Sequence, residues 1–176
     1  MQTKSIDGAR GMANVYEERQ RFAAWVYVLV IAIVCTSTGA MIMAARSEGA
    51  NAAPMEIVAF TLILFLFLFN VLALRTSVDS EAIRVQLGRP IPIFWKRIGI
   101  ETIREARVVT YRPLLEAGGW GLRFGRFDGV FTIYWNARGN RGVLIDTEKR
   151  RYVIGSQDPE ALCAAIEHVR VEVKRT

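Results

Sequence analysis

Residues 22–45 contain no charged side chain, and residues 55–74 contain one, Glu56 near the start. No other feature constrains the fold as strongly. At 1.5 Å rise per residue the first run reaches roughly 36 Å as a helix, against a bilayer hydrocarbon core of about 30 Å. The second, with TLILFLFLFNVLAL at its heart, reaches roughly 30 Å. Both read as transmembrane helices. A cleaved signal peptide is the rival for the first run, but that run starts late, is long, and ends at Arg46 without an obvious processing site.

Flanking charge sets the expected orientation. Lys4, Arg10, Arg19 and Arg21 precede the first run, and Arg75, Arg84 and Arg89 follow the second; the intervening RSEGANAAP offers Arg46 alone. By the positive-inside rule both chain ends face the cytoplasm and the short loop faces out, with Trp25 and Tyr27 at the cytoplasmic interface. The expected organisation is a cytoplasmic segment (1–21), a first helix (22–45), an external loop (46–54), a second helix (55–74) and a cytoplasmic domain (75–176). The expected location is a membrane, crossed twice, with both chain ends cytoplasmic.

Charge separates the two halves. Residues 1–74 hold five basic and five acidic side chains, whereas residues 75–176 hold eighteen and twelve and carry the whole formal +6. A basic domain beside an anionic leaflet is expected. Apolar types make up 52% of the chain, too much for intrinsic disorder. The cysteines, Cys35 and Cys163, are too few and too far apart for a disulfide scaffold.

Within the first run, Ala32, Thr36, Ala40 and Ala44 place a small residue at every fourth position. Such a stripe lets helix backbones approach closely. The favoured partner is the second helix, whose Phe60, Phe65, Phe67 and Phe69 could fill the groove; a foreign helix is the alternative. Asn70 reads as an interhelical hydrogen-bonding group. Neither run has a central ionisable residue, which argues against a transporter.

Beyond residue 75 the pattern changes to that of strands. Ile83-Arg84-Val85-Gln86-Leu87 alternates strictly and stops at Gly88-Arg89-Pro90. Residues 91–98, 103–111 and 131–135 read as further strands, and 142–147 pairs with 151–154 as a hairpin. Pro92 marks an edge or a bulge. Gly118, Gly119, Gly121 and Gly125 read as a bend at a barrel corner. One helix closes the chain: Asp158 is a good N-cap, Pro159 suits the first helical position, and Leu162, Ala165, Ile166 and Val169 form one apolar stripe with Glu160, Glu167 and Arg170 outside it. The expected fold is therefore α+β: a transmembrane helical hairpin, then an antiparallel barrel or sandwich with a C-terminal capping helix. Residues 75–176 should fold alone.

A strand meander ending in a single helix looks like a pleckstrin-homology (PH) domain. The string YRP…GGWGLRFGR…YWNARGNRGVLID…RRYVIGSQDPEALCAAI, with EERQRF ahead of the first run, resembles uncharacterised bacterial inner-membrane proteins that carry two transmembrane helices followed by a PH-like domain. The resemblance covers about residues 16–166. It implies topology and fold, and no activity.

Catalytic and metal chemistry lack their residues. The single histidine, His168, and Cys163 lie five positions apart on the last helix, a poor spacing for shared ligation. No nucleophile elbow or His-Glu-x-x-His motif occurs, and the glycine-rich run lacks the Gly-Lys-[Ser/Thr] ending of a phosphate loop. No cofactor, metal or enzymatic activity is expected. Basic residues gather in turns: Arg123 and Arg126, Arg138 and Arg141, then Lys149, Arg150 and Arg151. On one rim they would attract anions; scattered, they are ordinary solvated charges. A nucleic-acid partner has no support beyond the basic charge. The expected function is a membrane-anchored interaction or assembly module, an accessory subunit of a larger inner-membrane complex, with Trp120, Arg123, Arg126, Arg138 and Arg141 as its contact surface. The alternative is a module that senses anionic lipids.

Overall fold

A computed structural model describes residues 14–47 and 53–175. Lys4, Arg10 and most of the expected external loop lie outside them. The chain is α+β. Strand β1 (Tyr16–Arg21) precedes helices α1 (Ala24–Ser47) and α2 (Ala53–Val71). Strands β2 (Ala73–Val78), β3 (Ala82–Leu87), β4 (Phe94–Gly99) and β5 (Ile103–Thr110) follow, then a single helical turn α3 (Pro113–Glu116). Strands β6 (Gly121–Phe127), β7 (Val130–Asn136), β8 (Arg141–Thr147) and β9 (Arg151–Gly155) lead into helix α4 (Pro159–Arg175).

Helix α1 is long and apolar enough to cross a membrane, and only 6% of its most apolar window is buried by the rest of the chain. Helix α2 stops at Val71, short of the expected 74, because Ala73 and Leu74 already belong to β2. The two helices pack through alternating half-buried positions: Tyr27, Val30, Val34, Thr38 and Ile42 on α1, and Ile57, Thr61, Phe65 and Leu68 on α2. Thr38 Oγ1 donates to Thr61 Oγ1 at 3.1 Å across this seam.

The strands form two sheets, β1-β2-β3-β4 and β5-β8-β9-β7-β6. The first is an antiparallel meander. The second departs from the expected wholly antiparallel arrangement, because β7 and β9 pair in parallel, Thr132 opposite Arg151. The reason is the β8–β9 hairpin, which folds back so that β9 lies between β7 and β8. Strand β4 begins at Phe94 rather than at 91, with Pro90 and Pro92 in the loop before it.

The main core lies between the sheets. Leu74, Val78, Ile83, Val85, Leu87 and Ile98 meet Ile133, Trp135, Val143, Ile145 and Ile154. Helix α4 adds Leu162, Ile166 and Val169, all fully buried, and packs against β5 and β8. Asp158 caps it by accepting from the Ala161 N–H at 3.0 Å. Arg170, expected on the open side, instead folds inward and donates to the Arg104 carbonyl at 2.7 Å. A second core of Val109, Tyr111, Phe127, Tyr134, Leu144 and Val153 covers the other face of the five-stranded sheet. Its central strands are therefore buried on both sides, which is why β7 and β8 read as apolar runs and not as clean alternation. At Gly125 an added Cβ would lie 1.9 Å from the Glu116 carbonyl oxygen. That glycine admits the α3 segment onto the sheet; the corner itself is made by Gly118, Gly119 and Gly121, all at positive φ.

The expected boundary between a free N-terminal segment and a domain starting at residue 75 does not hold. Strand β1 pairs with β2 in continuous antiparallel register from Tyr16 opposite Val78 to Arg21 opposite Ala73. Side chains lock it to the far sheet. Gln20 Nε2 donates to the Gly155 carbonyl at 2.7 Å, and Glu18 accepts from Ser156 Oγ at 2.6 Å and the Gln157 N–H at 2.7 Å. The Phe22 N–H reaches the Leu72 carbonyl at 3.5 Å, so the strands remain together up to the helices. The helix pair is an insertion into a β-hairpin.

Candidate interaction surfaces

The stripe on α1 does not face α2. Ala32, Thr36, Ala40 and Ala44 are all exposed, on the side of α1 away from the seam. The helical period explains this: the seam uses positions 27, 30, 34, 38 and 42, and the stripe lies two residues out of phase, about 200° around the helix. Of the four phenylalanines expected to fill its groove, Phe65 faces the seam and Phe60, Phe67 and Phe69 are exposed. Among the described residues Asn70 likewise makes no bond to α1. Its Nδ2 donates to the Ile91 carbonyl at 2.8 Å and its Oδ1 accepts from the Ile91 N–H at 3.2 Å, pinning the β3–β4 loop to the end of α2.

Trp120 joins the helices to the sheets. Its ring meets Trp25 of α1 edge-on at 5.8 Å between centroids, and its Nε1–H points to the Gly139 carbonyl at 3.4 Å. It is half-buried, an internal joint and not a free contact residue. On the other side of the junction, Tyr27 donates to the Leu72 carbonyl at 2.8 Å and packs on Phe69 at 5.4 Å. Beside Trp120, an apolar cleft of about 600 Å³ opens among Trp25, Leu29, Leu72, Phe94, Leu122 and Phe124.

The basic turns do not share a rim. Arg123 and Arg126 stand three residues apart on a regularly paired strand, and so point to opposite faces. Arg141 is tied to Glu160 at the start of α4, and Arg151 to Asp146 at 2.9 Å. Lys149 and Arg150 lie in the β8–β9 turn, at the opposite end of the five-stranded sheet from Arg138, roughly 20 Å along a seven-residue strand. Two of the expected contact residues sit beside the foot of the helices with no carboxylate partner among the described residues: Arg123, at the edge of that apolar cleft, and Arg138. Arg138 faces a different recess, of about 700 Å³, which it borders together with Arg21, Tyr27, Phe69, Leu72 and Arg89.

Arg21 and Arg89 were not singled out by sequence reasoning, which used them only as flanking charges. They stand sixty-eight positions apart, and the β1–β2 pairing together with the Asn70 clamp brings them to one place. Nearby, Arg19 and Arg75 are register partners that share Glu17, at 2.7 and 3.0 Å. Burial pushes the Glu17 carboxyl up, but the two guanidinium groups outweigh it and hold the group below its ordinary value.

Cys163 is half-buried, with its thiol toward the Ala106 carbonyl at 3.6 Å; burial pushes its pKa up, away from the nucleophilic thiolate. His168 is exposed and lies 3.4 Å from Glu172. Among the described residues no three His, Cys, Asp or Glu side chains converge on a point that could hold a metal ion. Comparison of the chain with protein-family models, with characterised proteins and with solved structures finds no match.

Proposed function

We propose that the chain is a non-enzymatic, membrane-anchored interaction module, an accessory subunit or scaffold of a larger inner-membrane complex. The observation that carries this reading is the free small-residue face of α1. Ala32, Thr36, Ala40 and Ala44 lie open on a helix long and apolar enough to span a bilayer, and α2 does not cover them. In lipid, close backbone approach along such a face is what joins one helix to another.

Topology supports the anchorage. Strands β1 and β2 lie in one sheet, so the segments flanking the helix pair lie on one side of any membrane that α1 crosses. Helix α2 must then return the chain. Its apolar stretch Met55–Val71 is at the short end of spanning lengths, about seventeen residues. The arginines around the helix feet support a cytoplasmic side by the positive-inside rule. The two-sheet core closed by α4 is in keeping with a PH-like architecture, and the parallel β7–β9 pair is its departure from a plain meander.

Two measurements test this reading. Reporter fusions after Thr176 and at Gly49 should report cytoplasm and exterior respectively; residue 176 outside would overturn the topology. Tagged full-length protein, purified in mild detergent, should bring down a protein partner that Ala40→Leu removes while Ile33→Leu does not. An unchanged partner with Ala40→Leu would overturn the role of the face. Recovery of anionic lipid with no protein would favour a lipid-sensing module.

A further inference from the structure

We infer that the recess at the foot of the helices is a binding site for a phosphate-bearing anion, the headgroup of an anionic phospholipid. Tyr27 and Phe69 line the recess from the helices, which form its apolar ceiling, with Phe22 and Leu72 where helices and strands meet; Arg21, Arg89 and Arg138 line it from strand and loop ends, which form its cationic floor. Three separate parts of the fold supply the arginines: the end of β1, the β3–β4 loop and the β7–β8 connection. None of the three guanidinium groups has a carboxylate within salt-bridge distance among the described residues, whereas Arg19, Arg75, Arg84, Arg97, Arg141 and Arg151 all do. Among the described residues no acidic side chain lines the recess.

Three like charges set around one cavity repel one another, and an anion between them turns that repulsion into attraction. A second, smaller recess of about 360 Å³ shares Arg21, Ala73, Arg89 and Pro90 with the first and adds Arg19 and Arg75, which have one carboxylate between them. The excess positive charge therefore extends outward along the face of the first sheet. Guanidinium groups are the side chains best shaped for phosphate oxygens.

The grading from apolar to cationic selects the ligand. A free phosphate would use only the floor, whereas a phospholipid places its phosphate among the arginines and its first acyl carbons against Tyr27, Phe69 and Leu72. Asn70 fixes the position of Arg89 relative to α2, so the floor is held at a set depth below the helix end. The inference rests on the membrane-anchored reading above and does not depend on what α1 packs against.

The test uses the full chain purified in a neutral detergent, with binding of phosphatidylglycerol, phosphatidylcholine and inorganic phosphate measured separately. Wild-type protein should prefer phosphatidylglycerol over phosphatidylcholine by about tenfold or more, because three cations face a headgroup with a net negative charge in one case and none in the other. Arg21→Gln combined with Arg89→Gln should remove the preference, and Arg138→Gln should weaken it. The Lys replacements should retain part of it, and Arg126→Gln with Arg150→Gln, at other places on the surface, should leave it intact. Inorganic phosphate at millimolar concentration should not displace the lipid; displacement would assign the site to soluble phosphate compounds while keeping its chemistry. Equal binding of both lipids by the wild type, or equal loss in the distant double variant, would overturn the site. Resistance of the wild type to alkaline carbonate extraction, scored on the membranes before detergent is added, separates failure of the site from failure of the membrane reading.

Discussion

Tyr111 and Tyr134 show how a single side chain ties stability to conditions. Both are fully buried in the second core, with ring centroids 5.7 Å apart, and burial pushes each phenol up to about 12. Tyr16, against Ser156 and Glu18, is also raised to about 12, with burial the main cause. A raised folded-state pKa stabilises the fold fully below the ordinary phenol value of 10, and that contribution disappears as pH rises toward 12. Tyrosinate absorbance and circular dichroism followed together should therefore show these phenols ionising as the β-structure is lost. A gradual titration near pH 10 with the fold intact would contradict their burial. The aromatic run FTIYWN was legible as a strand; that Tyr134 and Trp135 face two different cores was not, because periodicity shows which residues alternate and not whether both faces are covered.

At the scale of elements, α4 is where the sequence was most informative. The Asp158 cap, Pro159 at the first position and the Leu162–Ile166–Val169 stripe all occur as expected, since each depends only on residues within a few positions of one another. Leu162→Ala and Ile166→Ala should each cost about 2–5 kcal/mol, because both side chains are fully buried between α4 and the sheets. Denaturant unfolding of the sheet domain would measure it, and an unchanged midpoint in both variants would mean that the helix does not close the core. Helix α1 makes the contrasting case. Its stripe was visible in the sequence, but the face it lies on was not, because the partner helix could meet α1 on any side. Thr38 and the half-buried aliphatic residues won that contact, leaving Ala32, Thr36, Ala40 and Ala44 open.

The whole molecule is a β-sheet domain with a helix pair inserted into its first hairpin. Residues 75–176 alone would lack β1 and the start of β2, leaving Val78, Ile83 and Val85 beside an unpaired edge and losing the Gln20 and Glu18 bonds to the second sheet. That fragment should be aggregation-prone. A chain in which residues 23–71 are replaced by a short turn should instead fold, because the Phe22 N–H and the Leu72 carbonyl already lie 3.5 Å apart. Size-exclusion chromatography and thermal melting of the two would decide the matter; a well-folded 75–176 fragment would show that β1 is dispensable.

From the sequence alone came the apolar runs, the strand-rich second half and the capped terminal helix. All are local signals, carried by hydropathy and spacing along the chain. Tertiary structure decided that residues 16–21 belong to the domain, that β9 runs beside β7, and that the basic turns divide between two ends of a sheet. It also decided that Arg21, Arg89 and Arg138 share one recess. These are pairings between segments separated by tens to more than a hundred residues. They follow from which apolar surfaces bury one another, and no spacing within a single segment encodes that choice.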